Sequence, residues 1–390
     1  MVTGDGAYIR KINRTIIIKE IIHNGRISRA DLSKITGLNK ATISVQVSNL
    51  LEEGLIYETQ PEHNVIGRRP IMLSINEAAG YVLGIDLDYK EIHYTLADLS
   101  GKPIQTKTID LETDDYNKIV QKLINDIKEF KQLSENTHYG LINVTIGIHG
   151  TVNKNETIFF IPRYQWHNKN LKADLIKEID IPIHIENNAN LSSYAEKVYK
   201  HQDSHNLLTI ILSSGIGTGI LVDGILHKGY HGYAGEMGHM IVMPNGHPCK
   251  CGNQGCWEQY ASEPKLFKQL EKQLGETSMT YDDLQKLLRD EHRMVLEQLD
   301  EFITFVAIGL NNVINIYNPE TIVLNSKVLE MYPNAIEQIK QKLTSSVSQY
   351  REIVLSDLGY SSTVMGACAF SIQTFFEVSD LILTLDKPHS

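Results

Sequence analysis

The stretch LSSGIGTGILVDGILHKGYHGYAGEMGH runs from Leu212 to His239 and continues as MIVMPNGHPCKCGNQGCWE to Glu258. Its first part reads as the end of a buried strand, a Gly-rich turn, and a second strand from Gly219 to Val222. Its second part crowds His239, Cys249, Cys251 and Cys256 into 18 residues. Three thiolates and one imidazole suit tetrahedral zinc, and four protein ligands close the coordination sphere. That set points to a structural ion rather than a catalytic one. Gly252 and Gly255 let the loop fold tightly. His247 and His231 are alternative fourth ligands, but His247 lies only two residues from Cys249, an awkward spacing beside Cys251. The chain has 4 cysteines. A disulfide scaffold would spread pairs along the chain, so a metal site is favoured. The remaining one, Cys368, sits in an apolar helix and reads as a core residue.

Working outward, GIDLDYKEIHYTLAD at Gly84–Asp98 echoes the strand-turn-strand of ILSSGIGTGILVDG. Each opens an α/β half, which predicts two similar lobes with a cleft between them. Strands are expected at Val82–Ile85, Ile92–Leu96, Ile104–Leu111, Leu141–Ile148, Leu207–Ser213 and Thr321–Leu324. Helices are expected at Thr113–Phe130 and Ala189–Tyr199, from about Leu266, Asp282 and Met294, and at Val364–Phe376.

Ahead of this lies a smaller module. Its helices are marked by Ile12, Ile16, Ile17 and Ile21, by a Ser28–Asp31 capping pattern, and by Asn39 ahead of Ile43, Val47, Leu50 and Leu51. Leu55–Glu58 and Pro70–Ile75 read as strands, with Gly67-Arg68-Arg69 between them. Two short helices around a Gly turn plus a basic hairpin match a winged helix-turn-helix. The third helix would then enter the major groove, offering Lys40, Ala41, Thr42, Ser44 and Gln46 to bases. Arg29, Asn39 and Lys40 at the helix starts, with Arg68 and Arg69 on the hairpin, suit phosphates or the minor groove. The charge agrees. Residues 1–75 hold 10 Lys and Arg against 7 Asp and Glu, a balance of +3, while the whole 390-residue chain carries -10. A basic reader precedes an acidic bulk, and operator DNA is the expected partner. The start of the chain shows no apolar h-region, and no run of 18 apolar residues occurs, so a cytoplasmic protein without a membrane span is expected.

These residues also carry a family resemblance. Leu212, Gly215, Gly217, Gly219, Gly229, Gly235, Gly238 and His239 fit the signature of the ROK family, which gathers repressors and sugar kinases. The cysteine run resembles that family's CxCGxxGCxE motif, and IENNAN its sugar-site segment ENDAN. GLNKATIS and GRRPIML resemble stretches of its xylose repressors from Gram-positive bacteria. The resemblance implies a winged helix-turn-helix over 1–77 and a two-lobed, actin-like ATPase fold over 78–390. Lobe one would span about 78–187 plus a final helix near 363–380, and lobe two about 188–362. It implies sugar contacts at Asn187, Asn188, Glu236, His239 and Glu258, and a homodimer on a palindromic operator. Xylose is the implied effector; glucose, N-acetylglucosamine or a sugar phosphate are the alternatives.

The same resemblance argues against catalysis. A ROK kinase carries a glycine-rich DxGGTK loop; here Asp86-Leu87-Asp88-Tyr89-Lys90 has no glycine and adds a carboxylate that repels phosphate. The general base of ENDAN is replaced by Asn188, which takes no proton near neutral pH. Paired glycines on the nucleotide side are replaced by Asn325-Ser326-Lys327. No ATP is expected, and a sugar kinase is the lesser reading.

Overall fold

The computed structural model describes residues 6–60 and 70–384. Arg68 and Arg69 lie outside the described residues. The chain divides into two compact units, Met1–Glu186 with Val364–Ser390, and Asn187–Thr363.

The first unit opens with α1 (Gly6–Asn24), β1 (Ile27–Ser28), α2 (Arg29–Thr36), α3 (Lys40–Glu52), β2 (Ile56–Thr59) and β3 (Met72–Ile75). Local chemistry sets these boundaries. Ser28 Oγ accepts from the Asp31 amide and Asn39 Oδ1 accepts from the Thr42 amide, so each helix begins at a capping side chain. Gly37 ends α2 at φ 72°. β3 pairs antiparallel with both β1 and β2, the three-stranded wing of the module. Ile17, Ile18 and Ile21 of α1 meet Leu32, Ile43, Val47 and Leu50 in burial, while Ile12, expected on that face, is exposed.

The rest of the first unit is β4 (Tyr81–Leu87), β5 (Glu91–Ala97), β6 (Pro103–Asp110), α4 (Tyr116–Ser134) and β7 (Leu141–Ile148). A three-stranded flap follows, β8 (Thr151–Val152), β9 (Ile158–Ile161) and β10 (Trp166–Lys169), then α5 (Leu171–Leu175) and β11 (Ile183–Asn187). The main sheet runs β11-β7-β4-β5-β6, with β4 parallel to β7 and antiparallel to β5. The final helix, Ser362–Phe376, lies directly on it: a Cβ on Gly84 would stand 2.4 Å from the Val364 carbonyl oxygen. Thr145 and Ser371 share a 2.6 Å hydroxyl contact across the same seam, and Cys368 is fully buried there, as expected of a core cysteine.

The second unit holds α6 (Asn188–Tyr199), β12 (Leu207–Ile211), β13 (Gly217–Val222), β14 (Ile225–Leu226), α7 (Glu258–Ala261), α8 (Glu263–Leu274), α9 (Tyr281–Arg289), α10 (Arg293–Tyr317), β15 (Thr321–Asn325), α11 (Lys327–Met331), α12 (Ala335–Lys342) and β16 (Glu352–Leu355). Its sheet runs β14-β13-β12-β15-β16. The leading strand again pairs antiparallel with the next and parallel with a later one. The echo in the sequence is therefore an echo in connectivity. Every residue of α6 is buried, and Gly219 lets it seat: a Cβ there would lie 2.2 Å from the Ala189 carbonyl oxygen. α10 has the length and apolarity of a membrane span, but 56% of its most apolar window is buried. Val295, Leu299, Phe302, Val306 and Leu310 make it a core helix of this unit.

Candidate functional site

Among the described residues, a cluster of ligating side chains stands on the loop between β14 and α7. His239, Cys249, Cys251 and Cys256 bring their donor atoms within 4.8 Å of one another. Cys249 Sγ lies 3.6 Å from His239 Nδ1, and Cys251 Sγ 3.6 Å from Cys256 Sγ. A tetrahedron with metal–sulfur arms of about 2.3 Å and a metal–nitrogen arm of about 2.0 Å has edges of roughly 3.5–3.8 Å. Those two pairs stand at that spacing, and every other pair lies within 4.8 Å. Burial pushes the Cys249 thiol up to about 12, with the Glu258 carboxylate adding to the effect. A bound cation reverses that sign and holds a thiolate. His247 and His231 take no part. The His247 ring stacks on Tyr260 at 5.1 Å, and the His231 ring on Tyr233 at 5.7 Å.

The loop is held by its neighbours rather than by its own length. Ile241 and Cys256 form an antiparallel bridge, as do Pro248 and Gln254. Trp257, wholly buried, donates from Nε1 to the Phe305 carbonyl of α10 at 2.7 Å. Nothing in the cysteine spacing announces that anchor; a Trp beside a ligand is its one visible sign.

The residues expected to meet sugar gather around this cluster in part. His239 turns Nδ1 toward the thiols and Nε2 toward Glu236, whose Oε2 is 3.8 Å away. Glu258 Oε1 accepts from Cys249 Sγ at 3.1 Å and from Gln259 Nε2 at 3.1 Å. Its Oε2 faces the Gly-rich turn, 3.3 Å from where a Cβ on Gly215 would stand. Glu236, His239 and Glu258 thus form one polar group beside that turn. A Cβ on Gly235 would meet the Thr218 carbonyl oxygen at 2.1 Å, so the 235–239 segment lies directly against the start of β13. The start of α6 also packs on β13, where a Cβ on Gly217 or Gly219 would meet Ala189. There Asn188 is buried, and Asn187 caps the helix, its Oδ1 accepting from the Ala189 and Asn190 amides.

The loops that a kinase would turn toward nucleotide are filled by their own side chains. Asn325 Nδ2 donates to the Gly359 carbonyl at 2.8 Å and to Ser362 Oγ at 2.9 Å. Ser326 Oγ donates to the buried Glu263 at 2.6 Å. In the first unit, His149 Nε2 stands 2.8 Å from Asp86 Oδ1, and its Nδ1 3.8 Å from Asp88. Burial alone would lower the His149 pKa; Asp86, with Asp88 adding, overrides it and raises it to about 9.

In the reader module, α3 shows Lys40, Ala41 and Ser44 to solvent, with Thr42 partly exposed. Gln46 corrects the expectation. It is 5% exposed, and its amide donates to the Arg10 carbonyl of α1 at 3.3 Å. The reason is helical arithmetic: positions 43, 46, 47 and 50 share one face, and the buried isoleucine, valine and leucine carry Gln46 inward with them. Val45, 56% exposed, and Ser48 take the outer face instead, and the same arithmetic would have found them. Asn39 is exposed, with its carbonyl committed to the cap. Arg29 pairs with Glu58 of the wing at 2.7 Å.

Two outcomes follow from these placements. Gln46→Leu should leave the base preference of any bound DNA unchanged while lowering thermal stability by about 1 kcal/mol, because the part-buried bond from its amide to α1 is lost. A changed preference in a selection from random duplexes would return Gln46 to the reading face. The His149–Asp86 pair should stabilise the fold fully below about pH 6.5, the ordinary histidine value, and lose that contribution as pH rises through about 9. Melting curves of wild type and His149→Asn, compared from pH 6 to 10, should converge at the alkaline end; a constant gap would contradict the charged pair.

Comparison with known proteins fits this geometry. Residues 82–374 match the ROK family, and residues 11–57 match a winged helix-turn-helix DNA-binding family. The chain is 36% identical to a xylose repressor of Bacillus spizizenii over 380 residues, covering 96% of this chain and 98% of that one. It is 35% identical to a xylose repressor of Bacillus subtilis over the same shares. Its structure resembles a ROK family transcriptional regulator described as a homologue of the E. coli Mlc protein, with a TM-score of 0.81 and 27% identity, covering 95% of this chain and 97% of that one. A ROK glucokinase from Streptomyces griseus shares the actin-like fold at a TM-score of 0.67 and 22% identity, over 75% of this chain and 100% of its own. With the family match spanning well over half its length and such relatives along nearly all of it, this chain belongs to the ROK family.

Proposed function

We propose that this chain is a sugar-responsive transcriptional repressor that binds operator DNA through residues 1–77 and is released by xylose bound in residues 78–390. The observation that carries the reading is the outer face of α3. Lys40, Ala41 and Ser44 stand exposed on a three-helix, three-stranded module at the head of a sugar-kinase fold. Beyond Lys40 the side chains there are small, which leaves a helix narrow enough for the major groove. The relatives named xylose repressor favour xylose as the effector. The relatives' type and the replacement of the catalytic base by Asn188 both speak for a regulator rather than a kinase.

Asn187, Asn188, Glu236, His239 and Glu258 are the proposed sugar contacts. Carboxylates and amides each take two hydroxyls, and a hydroxyl left unmatched is costly to bury. The Asn187 oxygen caps α6, which holds that side chain at the helix start. The Cys3His cluster holds structural zinc in this reading. Zinc on Nδ1 fixes the His239 ring and leaves Nε2 aimed at a hydroxyl. Two copies acting as a homodimer would match a palindromic operator, each copy supplying one reading helix. The thiol ligands suit a reducing cytoplasm. Sugar lowers DNA affinity by the difference in its own affinity for the DNA-competent and DNA-incompetent states, and by no more than that.

Purified protein should retain one zinc per chain, and Cys251→Ser should lower both the zinc content and the affinity for sugar; full sugar affinity in zinc-free protein would detach the metal from the site. A selected operator duplex should be released by xylose at fixed salt, with no ATP consumed. Release by glucose, N-acetylglucosamine or a sugar phosphate instead would change the effector and keep the repressor. Sugar-dependent ATP turnover would overturn the regulatory reading.

A further inference from the structure

The outer face of α3 carries one side chain that the fold does not use. Of the large apolar residues on this helix, Ile43, Val47 and Leu50 are buried and Leu51 is half-buried, while Val45 stands exposed. No core receives it, and a β-branched residue at an exposed helical position is a poorer helix former than alanine. Val45 belongs instead to a stripe with Ala41, Ser44 and Ser48, all exposed. Those positions recur at intervals of three and four residues, so they share the side of the helix opposite the buried set. The stripe is uncharged, and Val45 is its largest member. From Ala41 to Ser48 it runs about 10 Å along the axis, close to three base-pair steps of about 3.4 Å each.

Helical side chains lean toward the helix start, so the Val45 methyls lie over the preceding turn, next to the Ala41 methyl. The two make an apolar spot with Ser44 and Ser48 beside it. An isopropyl group neither donates nor accepts a hydrogen bond. In the major groove, guanine, cytosine and adenine present polar atoms, each of which loses its water and gains no partner when pressed against valine. Thymine adds an apolar group, its 5-methyl. A valine at this place therefore favours thymine both by what it buries and by what it refuses.

We infer that Val45 is a specificity-determining residue that buries the 5-methyl group of a thymine in the operator. The inference deepens the repressor reading and rests on it, since α3 must lie in the major groove with this stripe facing the bases. Val45 neutralises no phosphate, so it sets which sequence is bound and leaves the electrostatic part of binding to the basic residues around it.

The test uses the full-length protein and a duplex that the wild type selects from random sequence. Each thymine of the selected site is replaced in turn by deoxyuridine, which pairs as thymine does and lacks only the methyl group. For the wild type, one such replacement should lower affinity about fourfold, the worth of one carbon group taken out of water. Val45→Ala should bind the unmodified duplex about four- to fifteenfold more weakly, the worth of one or two such groups. At the sensitive position, deoxyuridine should cost the variant less than about twofold, because the two changes remove the same contact. Alanine is the better helix former at an exposed position, so the variant keeps the reader folded. The slope of affinity against salt should be the same for both proteins, as no phosphate contact is altered. A wild type indifferent to every deoxyuridine, or a Val45→Ala variant with the full sensitivity of the wild type, would overturn the inference. So would a lowered salt slope in the variant, because the whole helix would then have shifted on the duplex. A wild type that selects no duplex at all would bring down the repressor reading and this inference with it.

Discussion

The contact on which most of this molecule depends is the one between the start of α6 and β13. The backbone of Ala189 comes so near Gly219 that no side chain fits between them. Every residue of α6 is buried as a result. A helix pressed that closely cannot shift alone. Asn187 and Asn188 at its start are fixed relative to the Gly-rich turn, and the turn is fixed relative to the 235–239 segment through Gly235 and Thr218. His239 and Glu258 then inherit a defined place beside it. Close packing turns small glycines into the means by which distant loops share one frame.

Within that frame, the departure from kinase chemistry has a physical form. The positions that would cradle phosphates hold side chains that satisfy each other. Asn325 and Ser326 spend their hydrogen bonds on Gly359, Ser362 and Glu263. Asp86 and Asp88 face a histidinium rather than a phosphate. Glucokinases share the fold, so the fold by itself does not decide whether catalysis occurs. The groups that remain available decide it. A carboxylate paired with His149 and an amide bonded to a carbonyl have less capacity left for a nucleotide.

The residues whose places were legible in the sequence share one property: their chemistry depends on near neighbours. Ser28 and Asn39 cap helices three residues away, and the cysteines crowd into one loop. Gln46 is the exception, because its polarity points to the outer face while its position on the helix puts it on the buried one. The His149–Asp86 pair was not legible, since it exists only through the parallel register that sets Leu87 beside Ile148. The flap β8–β10 escaped for another reason. Its strands are short and are joined through Gln165 at φ 53°, with Asn168 at φ 49° inside the last, which breaks any regular alternation of apolar and polar residues.

The Arg29–Glu58 pair on the wing carries a thermodynamic corollary. An arginine that turned from this carboxylate to a phosphate would give up one ion pair to make another, so its net gain in affinity would be smaller than that of an unpaired arginine. The counterions that a duplex condenses along its backbone have no counterpart on a lone surface carboxylate, so the exchange would lower affinity more than it lowers the dependence of binding on salt.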